Sequence, residues 1–219
     1  MTASIRLARD NMVNHQIRGW EVVDVRVLDT LAAVPREAFV PSAWRSMAFA
    51  DLAIPLGHGQ SMMKPVVEGR MLQALQLLPD EKVLEIGTGS GFITACLAHL
   101  AGHVTSIELH ESLARGAADA LAAQNIANVS LHTDEAVRSW QPDSHFDAIV
   151  VTGAVAQVPA RWHDWMAPGG RMFVIHGMQP IMCASLLRNE AAGRIVTDSL
   201  FDTCLPYLSH AEPQPDAAL

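Results

Sequence analysis

Apolar positions along this chain follow a helical period in some stretches and form short continuous runs in others, and that alternation predicts the architecture. Within residues 10–31, Met12, Val13, Ile17, Val23, Val27, Leu28 and Leu31 recur at helical spacing, interrupted at Gly19 and stopped by Pro35, so two short helices are expected. Residues 39–65 keep neither period and contain Pro41, Pro55, Gly57 and Gly59. That composition predicts an ordered loop region of the kind that carries binding residues. Helical spacing returns at residues 66–78 and is closed by Pro79 and Asp80. Apolar runs then follow at residues 82–86, 103–107, 129–132, 148–151 and 172–175. Between them, helices are expected at residues 92–100, 111–124 and 159–165, the last ended by the turn Ala167-Pro168-Gly169-Gly170. Residues 195–200 and 203–208 are expected to add a terminal pair of strands.

Short buried strands separated by helices imply βαβ units, hence an α/β, Rossmann-like fold with a doubly wound, mostly parallel sheet and an N-terminal helical extension. At 219 residues and 50% hydrophobic content, one domain is the natural division. We place it at residues 1–209, with 1–80 forming the N-terminal helices and a substrate loop, 81–209 the α/β core, and 210–219 a flexible tail.

Charge narrows the partners. The formal net charge is −8 with no basic stripe, which disfavours a nucleic-acid backbone. No segment approaches the roughly 20 apolar residues of a membrane helix, and the start of the chain, with Arg6, Arg9 and Asp10, lacks a signal-peptide pattern, so neither membrane insertion nor export is expected. Cys96, Cys183 and Cys204 are odd in number, far apart and not in metal-ligand spacing; they read as reduced thiols of a cytoplasmic protein. His99, His103 and His110 share no helix face, so no metal site is expected.

The chemistry concentrates in Val83-Leu84-Glu85-Ile86-Gly87-Thr88-Gly89-Ser90-Gly91-Phe92, which reads as a strand, a glycine turn and a helix start. Glycines there let a ligand approach the backbone, and the helix start offers unpaired N–H groups. Acids follow the next two strands, Glu108 and Asp134, placed to accept ribose hydroxyls and to reach an adenine amino group. The glycines run G-x-G-x-G, with Phe92 where a dinucleotide fingerprint has its third glycine. Glu85, two residues before the first glycine, lies near where a methionine ammonium would be held directly or through water. These features favour S-adenosyl-L-methionine over a nicotinamide dinucleotide.

Several further segments occur in a telling order. They are Gln16-Ile17-Arg18-Gly19, Arg26-Val27-Leu28, residues 34–41 (Val-Pro-Arg-Glu-Ala-Phe-Val-Pro), residues 54–60 (Ile-Pro-Leu-Gly-His-Gly-Gln), the glycine loop, residues 146–152 (Phe-Asp-Ala-Ile-Val-Val-Thr) and Leu205-Pro206. With them the chain resembles the protein-L-isoaspartate (D-aspartate) O-methyltransferase family through residue 208. The resemblance implies methylation of the α-carboxylate of isoaspartyl residues in damaged protein. That reaction needs no general base, because a carboxylate of pKa ~4 is already ionised at neutral pH.

Pattern and resemblance together assign the cofactor to His58, Gln60, Ser61, Met62, Glu85, Gly87, Thr88, Gly89, Gly91, Glu108, Leu109, Asp134, Glu135 and Thr152. In the acceptor loop the family's Gln-Thr-Ile-Ser-Gln-Pro reads Gln60-Ser61-Met62-Met63-Lys64-Pro65. Met63 therefore stands at the family's active-site serine. Ser61 and Lys64 are the polar side chains left to act on an acceptor, and Met63 itself cannot donate a hydrogen bond. Val66, Glu68 and Thr203-Cys204 also depart from the family pattern. Two other readings stay open: the same fold with a different protein or small-molecule acceptor, and a cofactor-binding module without catalysis.

Overall fold

The computed structural model describes residues 3–214; part of the tail expected at 210–219, residues 215–219, lies outside the described residues. The chain opens with helix α1 (Ala3–Asn11), which runs through a wider π turn (Met12–Ile17) and a short 3-10 turn (Arg18–Trp20), followed by helix α2 (Val25–Ala33). Asp24 caps α2 by accepting a 2.9 Å hydrogen bond from the Arg26 N–H. The short helix α3 (Arg36–Phe39) follows.

The region expected to be loop contains a hairpin, β1 (Ile54–Gly57) and β2 (Gln60–Met62). Its two-residue turn is His58-Gly59, with φ of 52° and 72°. Positive φ at both central residues is the condition of a type I′ turn, which matches the twist of paired strands. A single glycine beside a histidine is a weak local signal for it.

Helix α4 (Pro65–Leu75) starts with proline in its first turn and ends at Gln76 in the left-handed conformation. It is followed by strand β3 (Lys82–Ile86), helix α5 (Phe92–Leu100), β4 (His103–Glu108), α6 (Glu111–Ala123) and β5 (Val129–Thr133). The expected bounds hold unchanged for β3 and α5. β6 (Phe146–Val155), β7 (Met166–Met178), β8 (Ile181–Glu190) and β9 (Arg194–Thr203) complete one seven-stranded sheet in the order β5-β4-β3-β6-β7-β8-β9. The strands from β5 to β7 are parallel, whereas β8 and β9 add antiparallel.

Three local expectations give way to the sheet. The turn at residues 167–170 is drawn into β7, where the pairing with β6 slips between Phe146 and Ala148 and Gly169 takes φ 79°. Residues 203–208 form no strand: β9 ends at Thr203, and the later chain makes a single bridge from Tyr207 to Ala154. The expected helix at 159–165 is a 3-10 turn, Ala160–Trp165.

Side chains alternate across the sheet, giving two cores. Val83, Val104, Val150, Phe173 and Ile175 face α2, α4 and α5 in a cluster that also takes in Met12 and Leu205. Leu84, Ile86, Ile149, Val151 and Met172 face the opposite way, against Trp162, Trp165 and Phe146. Helix α5 is buried along almost its whole surface because it lies between the sheet and the N-terminal helices. Among the described residues, no helix is long and apolar enough to cross a membrane.

Candidate active site

Strand order reverses at β3, which pairs with β4 on one side and β6 on the other. Ligands of open α/β sheets bind outside the carboxyl ends of the strands at this point. An open cleft lies there. From the glycine loop it is lined by Ile86, Gly87 and Gly89, from the end of β4 by Glu108, Leu109 and His110, and beyond β5 by Asp134 to Val137. Gln60, Ser61, Thr152, Gly153, Leu208 and Ser209 close it.

The glycines are required by space as well as by backbone. Gly87 has φ 97°, and a Cβ on it would lie 2.5 Å from Thr152 Oγ1. The Thr152 hydroxyl donates to the Gly87 carbonyl and, at 3.0 Å, to that of Ile86, so it pins the turn to β6. Gly91, φ 83°, starts α5; its Cβ would meet the Ala117 Cβ of α6 at 3.1 Å. Its role is packing of the helix start, and it lies outside the cleft lining.

Glu108 is 6% exposed and accepts from the backbone N–H of Gly89 at 2.8 Å and of His110 at 2.9 Å, one at each oxygen. These contacts tie the glycine loop to the tip of β4 and leave a further lone pair on each oxygen for a ligand. Asp134 Oδ1 accepts from Glu135 N at 2.7 Å, and Glu135 Oε1 accepts from Val137 N at 2.9 Å, so both acids order the turn that forms the cleft wall. With three carboxylates and no lysine or arginine, the lining favours a cation and hydroxyls and repels a diphosphate.

Glu85 lies behind the cleft wall and not on it. It shares the Val83 face of β3, whereas Ile86 on the other face lines the cleft, so it is fully buried towards α5 and outside the lining. Its Oε2 accepts from the hydroxyls of Thr94 at 2.5 Å and Ser106 at 2.6 Å. Burial pushes its carboxyl up to about 8, against those two hydrogen bonds, and nearby Glu108 adds to the rise. Because the folded value lies above the ordinary carboxylate value, the folded state holds a proton that the unfolded chain releases. This stabilising contribution is complete at pH 4 and is lost as pH rises towards 8, by up to about 1.4 kcal/mol per pH unit. Glu85→Gln is therefore expected to flatten the decline of stability between pH 5 and 8, measured by urea unfolding; an unchanged slope would refute the assignment.

His58 is exposed and also stands outside the lining. Its ring stacks on His110 at 4.1 Å between centroids, and Nε2 lies 2.9 Å from Ser112 Oγ, so it fastens the β1–β2 turn over the end of β4. Gln60 donates to the Tyr207 carbonyl at 3.1 Å, tying the same hairpin to the C-terminal segment. That segment pairs with β6 through Ala154 N to Pro206 O and Leu208 N to Ala154 O, which lays Leu208 against Gly87 and Gly153. Its part in the cleft, with that of His110, was missed in the sequence because it depends on a return across the sheet. The Leu205-Pro206 match was the available signal.

A second, smaller cleft adjoins the first and takes in Ser61, Met62, Met63, Glu68, Thr88 and Phe92. Met63 is 2% exposed, and its carbonyl accepts from Arg36 at 3.0 Å. Arg36 is fully buried; it pairs with Glu68, donates to the Ala48 carbonyl at 2.8 Å and stacks on Phe92. Burial raises the Glu68 carboxyl, opposed by Arg36. Lys64 does not meet the expectation of a cation in the site: it is exposed at the start of α4 and lines neither cleft. Thr203 and Cys204 also stand outside both clefts. Among the described residues, no group of three or more His, Cys, Asp or Glu is arranged to hold a metal ion.

A family model, protein-L-isoaspartate(D-aspartate) O-methyltransferase, matches residues 8–203. The chain belongs to this family. It is 43% identical over 169 residues to protein-L-isoaspartate O-methyltransferase 1 of Rhodopseudomonas palustris (strain HaA2), covering 77% of this chain and 69% of the relative. To protein-L-isoaspartate O-methyltransferase 2 of Anaeromyxobacter sp. (strain Fw109-5) it is 42% identical over 164 residues, covering 75% and 68%. A solved Plasmodium falciparum chain of this type, in complex with S-adenosyl-L-homocysteine, superimposes with a TM-score of 0.80 at 19% identity, covering 91% of this chain and 97% of that one. Another solved protein-L-isoaspartate O-methyltransferase gives 0.79 at 21% identity, covering 91% and 65%. The fold is thus that of these family members.

Proposed function

We propose that this chain transfers a methyl group from S-adenosyl-L-methionine to the α-carboxylate of isoaspartyl residues in proteins. The observation that carries the reading is the acid-lined cleft at the β3 switch point in a chain of this family. Its lining fits the donor: Gly87 and Gly89 leave a cradle that a side chain would fill, beside three carboxylates and no lysine or arginine. Glu108 would hold the ribose hydroxyls and Asp134 and Glu135 would meet the adenine, with Gln60, Leu109 and Thr152 in the walls. Met62 and Thr88, on the second cleft, border the reacting end. The bound sulfonium supplies a methyl carbon to a carboxylate oxygen while the C–S pair remains on sulfur. No proton moves, so the protein's work is alignment and exclusion of water.

Residues 1–209 act as one unit in this reading, supported by the core on one face of the sheet, which takes in the N-terminal helices. The free Cys96, Cys183 and Cys204 suit a reducing, cytoplasmic compartment.

Incubation with methyl-labelled donor and paired peptides, one aspartyl and one isoaspartyl, tests the acceptor. Base-labile label is expected on the isoaspartyl peptide alone; its absence there would reject this acceptor in favour of another. For the donor site, Glu108→Ala is expected to weaken S-adenosyl-L-methionine binding about tenfold or more by calorimetry. Unaltered affinity would remove Glu108 from the site.

A further inference from the structure

The two clefts share Leu56, Ser61, Gly87, Gly89 and Thr152, so whatever occupies the smaller one meets the donor pocket across this common wall. The smaller cleft is apolar at Met62, Met63, Phe92 and Ile93. Its charge is balanced: Glu68 lines it, and Arg36 behind it is committed to Glu68 and to the carbonyls of Met63 and Ala48. Its lining contains no lysine or arginine. An acceptor carboxylate entering here is therefore held by hydrogen bonds.

The hydroxyls of the cleft differ in what they have left to give. Thr88 Oγ1 is 2.5 Å from Ser106 Oγ, and Thr152 Oγ1 donates to the carbonyls of Ile86 and Gly87. Ser90 Oγ accepts from Phe92 N at 3.3 Å. Ser61 Oγ, in contrast, is buried with no hydrogen-bond partner, and it lies on the wall common to both clefts. A buried hydroxyl without a partner is unfavourable unless a ligand supplies an acceptor. Met62 and Met63, which follow Ser61 in the chain and line the same cleft, offer no competing side-chain donor.

We propose that Ser61 is the acceptor-binding residue of this enzyme, its hydroxyl donating to one oxygen of the substrate carboxylate and leaving the other free to face the donor. This rests on the carboxylate-methylation reading above. The hydroxyl at residue 61 takes the place of a positive charge, since Arg36 is neutralised by Glu68 and Lys64 points elsewhere in the fold, outside the clefts.

The test uses Ser61→Ala and Ser61→Thr in the full chain. It measures KM for an isoaspartyl hexapeptide, calorimetric binding of that peptide to the S-adenosyl-L-homocysteine complex, and affinity for S-adenosyl-L-methionine. Ser61→Ala is expected to raise KM and weaken peptide binding by about tenfold or more, with donor affinity within about twofold of wild type and with Thr restoring peptide binding. An unchanged peptide affinity overturns the proposal. So does a loss of donor affinity as large as the loss of activity, which would assign the hydroxyl to the donor. If wild type binds the peptide in a Ser61-dependent way but forms no ester, the hydroxyl's role stands and the methyl-transfer reading fails. If wild type neither binds nor methylates it, both fail.

Discussion

Arg36→Met is expected to lower the free energy of unfolding by about 3–5 kcal/mol, and Tm by about 10 °C, because it leaves the Glu68 carboxylate buried without its partner. Arg36 has no exposed surface and Glu68 only 1%, so neither charge can recover by turning to water. The guanidinium also holds the Ala48 and Met63 carbonyls, and it packs 4.7 Å from the centre of the Phe92 ring. Its loss therefore loosens the loop before α4 as well as the ion pair. Glu68→Met alone is expected to cost a similar amount by orphaning the cation. The double variant, which removes both charges, should lose much less than the sum of the two. Urea unfolding of the four proteins measures the coupling. Additive losses would mean that the pair is incidental, with the cost arising from packing.

Gly87→Val is expected to weaken S-adenosyl-L-methionine binding by on the order of a hundredfold. Two effects act together. A branched residue at φ 97° is strained, at a cost of about 1–3 kcal/mol. Its Cβ would also lie 2.5 Å from Thr152 Oγ1 and 3.2 Å from Leu208 Cδ2, so either the turn leaves β6 or the C-terminal segment lifts away. Both movements deform the cleft. Gly116→Ala is the control: it lies in α6, where a Cβ meets nothing within 4 Å, and it is expected to leave binding unchanged and stability equal or slightly higher. Calorimetry on both variants, with far-ultraviolet circular dichroism to confirm folding, decides the matter. Wild-type affinity in a folded Gly87→Val protein would show that the turn has room to spare.

These variants divide along what the chain discloses locally. β3 and α5 were legible to the residue because each carries its signal within a few positions: a buried apolar run, a glycine turn, then a helix too apolar to face water. Glu108 and Asp134 were legible for the same reason, as acids at the ends of two recognisable strands. The loop change at Met63 was equally plain. Its consequence was not, since Met63 and Lys64 are neighbours in sequence and yet one is buried in the cleft and the other exposed.

Glu85 shows where local reading stops. Its distance from Gly87 suggested a ligand contact, but the two-residue period of a strand turns it to the opposite face from Ile86, and only packing against Thr94 and Ser106 reveals what it touches. The β1–β2 hairpin and β8 escaped for a related reason. Their strand partners are close in sequence, β1 with β2 and β8 with β7 and β9, but segments this short or this mixed in polarity carry little of the strand pattern.

By itself the sequence determined the family, the α/β alternation, the glycine loop and the acids that follow it, because each is written in contiguous residues whose backbone demands are local. The tertiary structure alone decided that His110 and Leu208 border the cleft, that Arg36 is neutralised behind it and that Ser61 keeps a free hydroxyl. Those facts are sums of contacts between β4, the hairpin, the returning C-terminal segment and the α3–α4 pair, and no local pattern encodes such a sum.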